Sequence, residues 1–145
     1  MVNYWIFVSV PFSDFNVSTI IEMFNNKEKV FKWRIGKKTP HREKLSEGDK
    51  IIFYQGGENG GNIVASAVLI SNLQNGDFDD FVNMNNLEIW SKSVDIRTLI
   101  DKLSFIKNKK YWGLHFQGGI IKIPDVDYNK IIKKSKKLNK TNKLI

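Results

Sequence analysis

The chain of 145 residues contains no cysteine and only two histidines, His41 and His115. Without a thiol there is no disulfide framework, no thiolate metal site and no cysteine nucleophile. Two histidines without a His/Asp/Glu cluster at ligand spacing do not make a zinc centre. There are three prolines, each placed at a break: Pro11 ends the first apolar run, Pro40 can open a helical turn, and Pro124 precedes a C-terminal helix. Long apolar runs are missing too. The N-terminal MVNYWIFVSVPF has no cationic segment ahead of its apolar stretch, which Ser9 and Pro11 interrupt. It predicts neither a signal peptide nor a transmembrane span. The expectation is a soluble cytoplasmic protein that does not engage membranes.

Catalytic motifs are also missing. GGENGG, Gly56 to Gly61, lacks the Gly-Lys-Ser/Thr ending of a phosphate loop, and a strand follows it rather than a helix. No G-x-S-x-G is present. Asp77, Asp79 and Asp80 stand in a polar stretch with no base beside them in sequence. The chain therefore reads as a non-enzyme without a cofactor.

What is present is apolar and aromatic material and an uneven charge. Hydrophobic residues make up 41% and aromatics 12%, enough for one globular domain with a real core. The net charge is +8, and seven lysines with no acid fall in residues 130–145. Within the body, Lys27–Lys44 carries +6 and Lys107–Lys122 carries +4, whereas Glu58–Asp101 carries −5. Basic loops opposed to an acidic flank suit a polyanionic partner, while the lysine tail is equally a solvated surface.

Periodicity predicts the elements. Tyr4–Val10 is apolar on both faces and reads as a central strand. Val17–Asn25 reads as a short helix. Val30–Trp33 is a short extended piece leading into a loop, and Ser46–Asp49 is a turn. Lys50–Gln55 and Asn62–Ile70 are strands around the GGENGG tip, and the small residues Ala65, Ser66 and Ala67 suggest tight packing or a bulge at a barrel corner. Ser71–Asn86 reads as a long loop and Leu87–Val94 as a strand. Ile96–Leu103 has helical spacing, Trp112–Phe116 is a short element, and Gly118–Ile123 holds the last strand. A helix over Val126–Lys134 frays into a basic tail. The fold class is α+β: a mixed β-barrel of five to six strands with short flanking helices, one domain over residues 1–133 and an unstructured tail over 134–145.

Phe31–Leu45 (FKWRIGKKTPHREKL) concentrates the chemistry. One Trp stands among six Lys/Arg and a His, with Gly36 and Pro40 breaking regular structure. An aromatic face stacks on a nucleobase, and neighbouring cations hold its phosphates. Trp90 and Trp112 also have cationic neighbours, with core packing the stronger reading for both. Ser9 is a hydroxyl in an otherwise apolar strand, either bonded to a neighbouring carbonyl or aimed at a pocket mouth.

In order, YWIFVSV, KWRIGKKTPH, LSEGDKIIFYQ, IVASAVL and FIKNKKYWGLHFQG resemble the EVE domain family of the PUA-like superfamily, over residues 3–133. The resemblance implies a PUA-like barrel related to the YTH readers of N6-methyladenine, in which a flipped-out, often modified base enters a pocket. It implies pocket positions at Ser9, Trp33, Lys37 or Lys38, Tyr54 and Gln55, with Trp112, His115 and Phe116 lining or supporting them. Many members end the first strand in Lys-Ser-Glu-Pro, where this chain has Val8-Ser9-Val10-Pro11. The expected function is a non-catalytic module that recognises a modified base in DNA or RNA. Arg34, Lys38, Arg42, Lys109 and Lys110 would contact phosphate, and a separate nuclease or processing enzyme is a possible partner. The alternatives are a sensor of a nucleotide-like small molecule and a protein-interaction adaptor.

Overall fold

The computed structural model describes residues 2–9, 31–56 and 60–140. The helix expected over Val17–Asn25 lies outside the described residues, as does the centre of the GGENGG tip. Six strands form one sheet: β1 (Tyr4–Ser9), β2 (Phe31–Ile35), β3 (Lys50–Gln55), β4 (Asn62–Leu69), β5 (Asp80–Asp95) and β6 (Ile120–Ile123). Their order across the sheet is β2-β5-β4-β3-β1-β6. β1 runs parallel to β3, and all other neighbours are antiparallel. A C-terminal helix, α1, spans Asp125–Asn139.

β1 is interior, and Trp5, Ile6 and Phe7 are fully buried on both of its faces. One face carries Trp5, Phe7, Trp33, Ile35, Ile51, Phe53, Val82 and Met84. The other carries Ile6, Ile52, Tyr54, Ile63 and Val94, covered by Phe116 and by Tyr128 and Ile131 of α1. Strand alternation divides the core in this way, since consecutive side chains point to opposite faces.

The sheet curls. β4 shifts register against β3 and twice against β5 around its small residues. Of the two readings of Ala65–Ala67, tight packing or a bulge, the register shifts fit the bulge. Asn86 of β5 adopts φ 53°, a left-handed backbone that Asn tolerates better than most residues, within the stretch where the β4 register slips. The edge strands β2 and β6 lie at opposite ends of the order, yet a Cβ built on Gly119, next to β6, would lie 3.5 Å from Thr39 Cγ2, beyond β2. The result is a curled half-barrel.

Three expectations need correction. Residues 80–86 are not loop: β5 begins at Asp80 and runs sixteen residues. Its alternation was masked by acid and amide side chains, because Asn83 and Asn85 are half-exposed while Val82 and Met84 are fully buried between them. Ile96–Leu103 is not an α-helix but two 3-10 turns, Ile96–Thr98 and Ile100–Lys102. A three-residue spacing fits either geometry, and eight residues are too few to hold an isolated α-helix. α1 does not fray at Lys134 but continues to Asn139, so residues 134–139 of the expected tail are helical. Ser135 and Leu138 extend its inward stripe, and Asn139 closes it: its amide donates to Lys92 O at 3.1 Å while its Oδ1 accepts the Lys92 N–H at 2.8 Å.

Two buried carboxylates pin the frame. Asp49 accepts from Trp5 Nε1 at 2.8 Å and from the backbone N–H groups of Asn3 and Ser46, both at 3.0 Å. This bond gives the indole of Trp5 the partner that a buried N–H requires. Asp127, in the first turn of α1, accepts from the N–H and hydroxyl of Ser104 and the N–H of Phe105. It thereby fixes the loop that follows the 3-10 turns.

Candidate nucleic-acid interface

Trp33 lies in β2, not in the irregular loop that follows. Alternation buries Trp33 and Ile35 at 5% and 4% exposure and turns Lys32 and Arg34 outward. The ring and its neighbouring cations therefore occupy opposite sides of one strand. Trp33 packs 5.0 Å from Phe53 and 6.1 Å from Phe7, and those two rings meet edge-on at 6.1 Å. Phe7 and Phe53 are register partners in the parallel β1/β3 pair, and two residues further on Ser9 pairs with Gln55. Gln55 is half-buried at the end of β3, on the side that alternation assigns to Phe53.

Tyr54 is on the opposite face. Its ring stacks on Phe116 at 4.1 Å and 13°. Phe116 in turn meets Trp112 and Phe105 edge-on, at 6.1 and 5.7 Å. The Arg97 guanidinium stands 5.4 Å over Trp112 and also bonds Asp95 and the Gly60 carbonyl, each at 3.0 Å. Burial pushes the Tyr54 hydroxyl above its ordinary pKa; Arg97 opposes that shift and Asp95 adds to it. His115 accepts the Asn108 N–H at 3.0 Å through Nε2 and so closes its own loop. The pocket positions implied by resemblance thus separate into two groups. Trp33, Gln55 and the register position of Ser9 belong to one face, and Tyr54, Trp112, His115 and Phe116 to the other. Phe53 and Tyr54 are consecutive in a strand, so only one of them can share a face with Trp33.

The basic residues also divide. Lys37 Nζ donates to Asp80 Oδ1 at 2.9 Å and Arg42 Nε to Asp80 Oδ2 at 3.2 Å. The Gly76 N–H reaches the same carboxylate at 3.4 Å. Asp80 was expected to lack a partner base; it has two, 43 and 38 residues away in sequence. The Lys37 bond first, then those from Arg42 and Gly76, hold its carboxyl below the usual carboxylate range, against the opposing effect of burial. The carboxylate ties the basic loop to the start of β5. Beyond that tie, residues 38–44 line a shallow hollow of about 240 Å³ that includes Lys38, His41, Arg42 and Lys44. Lys109, though exposed, is engaged as well, its Nζ donating to Ile100 O and Leu103 O at 2.8 Å each. Arg34, Lys38 and Lys110 are exposed, with Lys110 Nζ 5.3 Å over the Tyr111 ring. Among the described residues no group of three or more acids and histidines is placed to hold a metal, and no helix is long and apolar enough to cross a membrane.

The family model of the EVE domain matches residues 3–134. The chain belongs to the EVE domain family. A UPF0310 protein of Mycolicibacterium gilvum is 30% identical over 104 residues, 63% of this chain and 73% of that one. Among solved structures, protein Atu2648 of Agrobacterium tumefaciens superposes with a TM-score of 0.67 at 15% identity, covering 92% of each chain. Human THYN1 in complex with DNA containing 5-methylcytosine superposes with a TM-score of 0.62 at 10% identity, covering 92% of this chain and 97% of that one. The EVE domain here therefore has the PUA-like fold. Sequence reasoning noted Asp80 but not its partners, and it passed over Arg97; the contacts of both come from segments distant in the chain or from a ring fifteen residues away.

Proposed function

We propose that this EVE domain is a non-catalytic module that binds nucleic acid and reads a modified, flipped-out base. The supporting observation is the shared fold: the human relative that superposes on nearly the whole chain is seen with 5-methylcytosine DNA. Trp33, packed on Phe53 and Phe7 and only 5% exposed, is the stacking wall that an entering base must uncover, and the register partners Ser9 and Gln55 are the polar reading positions. Phosphate contacts fall to the exposed Arg34, Lys38 and Lys110. Lys37, Arg42 and Lys109 hold loops in place, and Tyr54, Phe116, Trp112 and His115 support the opposite face.

Unstacking a base costs a few kcal/mol, and one aromatic wall returns about 1–3 kcal/mol. Net affinity then rests on the phosphate contacts and falls as salt rises. The test is a titration of intrinsic Trp fluorescence with short oligonucleotides carrying plain cytosine, 5-methylcytosine or N6-methyladenine, at two salt concentrations. Wild type is compared with Trp33→Phe, which keeps the buried ring. A preference of about tenfold or more for one modified base, diminished in Trp33→Phe, is expected for a stacking wall. Equal binding of all three by both proteins would remove base reading and leave a nonspecific polyanion binder. Tight binding of a free mononucleotide with weak salt dependence would instead favour a small-molecule sensor.

A further inference from the structure

Among the described residues five large apolar side chains are exposed: Val2, Phe78, Tyr111, Leu114 and Val126. Two of them, Tyr111 at 59% and Leu114 at 57%, flank Trp112 at the start of a 3-10 turn, Trp112–Phe116. That segment is firmly held. Tyr111 N–H donates to Asn108 Oδ1 at 3.0 Å, Asn108 N–H to His115 Nε2 at 3.0 Å, and Leu114 N–H to Tyr111 O at 3.1 Å. Trp112 and Phe116 anchor it from beneath, and Lys109 fastens the approach to the 3-10 turns. The Tyr111 ring is thus presented outward on a fixed base.

Its surroundings decide what it suits. Residues 102–124 contain five lysines and no acid, and Lys110 Nζ stands over the ring itself. Phe78 is the counter-example: it is 92% exposed, but between Asp77 and Asp79, where a polyanion is repelled. An exposed ring among cations, on a preformed surface, matches a ligand that carries flat rings on an anionic backbone. Gly119, three residues beyond Phe116, comes close to Thr39 in the basic loop after β2, so the segment that follows this turn borders that loop.

We infer that Tyr111 is a second stacking platform, on which a nucleotide outside the Trp33 pocket rests its base while Lys110 meets the adjoining phosphate. The ligand is a single-stranded run of nucleotides, DNA or RNA, and the inference rests on the nucleic-acid reading above. Leu114 widens the apolar patch beside the ring.

The experiment measures binding of the full chain to unmodified oligo-dT of about twelve nucleotides and to an abasic oligomer of the same backbone length, by fluorescence anisotropy. The proteins are wild type, Tyr111→Ala, Tyr111→Phe and Trp33→Phe. Because Tyr111 is exposed, its variants are expected to melt like wild type. The expected result is about tenfold weaker oligo-dT binding by Tyr111→Ala, recovery in Tyr111→Phe, and no change on the abasic oligomer. Tyr111→Ala binding oligo-dT as tightly as wild type overturns the platform while leaving the nucleic-acid reading standing. No binding of either oligomer by wild type overturns both. Polyglutamate bound more tightly than oligo-dT, and weakened by Tyr111→Ala, would make the patch a docking surface for an acidic protein and overturn the platform.

Discussion

Two tryptophan neighbourhoods, one on each face of the sheet, look alike in sequence and differ in the folded chain. Trp33 and Trp112 each stand beside lysine or arginine. In β2 alternation separates the ring from its cations, so Trp33 enters a three-ring core while Lys32 and Arg34 face outward. In the 3-10 turn no such alternation operates. Trp112 stays half-buried, with Arg97 directly over its ring. The same pairing of residue types is a buried wall with a basic exterior in one case and a cation–π stack at the surface in the other. In β2 the local element decides the outcome, because it sets where successive side chains point; over Trp112 the cation is the distant Arg97, while the nearer Lys110 stands over Tyr111 instead.

The comparison can be broken at its deepest point. Trp33→Ala removes a ring that is 5% exposed and is expected to cost about 3–5 kcal/mol, read as a lowered denaturation midpoint. Phe116→Ala empties the other face and is expected to cost a similar amount, about 3–5 kcal/mol. Only substitutions of Trp33 should also alter the preference among modified oligonucleotides in the fluorescence titration. If Phe116→Ala, measured where it remains folded, erased that preference equally, the division of the pocket positions between the faces would be wrong.

A second contrast is in pH. Asp80 ties down the basic loop with a carboxyl held below its ordinary value of 3.8, so its contribution is present above that pH and is lost as pH falls through the lower, folded-state value. Asp80→Asn should lower the melting temperature at neutral pH and shrink that loss on acidification, as followed by circular dichroism. On the opposite face, burial first, then Tyr4 and Glu88, push the Tyr128 hydroxyl from 10.0 up to about 12. Its contribution is complete below pH 10 and is lost as pH rises toward 12. Tyr128→Phe should flatten that alkaline decline while leaving the acid limb as it was.

The smallest effect belongs to Arg97. Its cation–π contact is at an exposed site, so Arg97→Ala is expected to cost about 0.5–1 kcal/mol. Spectrophotometric titration should show the Tyr54 hydroxyl moving further up once the opposing cation is gone.

Much of this architecture was legible in the chain. The doubly apolar YWIFVSV run placed β1 inside the sheet, and the small residues of β4 marked its bulges. The split of the site was legible in principle from Phe53 and Tyr54 alone. What could not be read is what depends on distance along the chain. Asp80 meets Lys37 and Arg42 only because β5 pairs with β2, and β5 was hidden by asparagines on its outer side. The last turn of α1 was hidden by lysine, whose abundance obscured an inward stripe ending at Leu138.

The parallel β1/β3 pair has a consequence for how the chain reaches this state. Tyr4 pairs with Lys50, and on its other side with Ile123. The first strand of the domain is therefore bordered by β3, some forty residues further on, and by β6, the last strand of the sheet. β3, β4 and β5 form a meander of neighbours and can assemble early, whereas β1 waits. Loop closure of this length makes for a slow, non-local folding step. Until it occurs, Trp5, Ile6 and Phe7 form an unpaired apolar edge, the part of the nascent chain most in need of protection from aggregation.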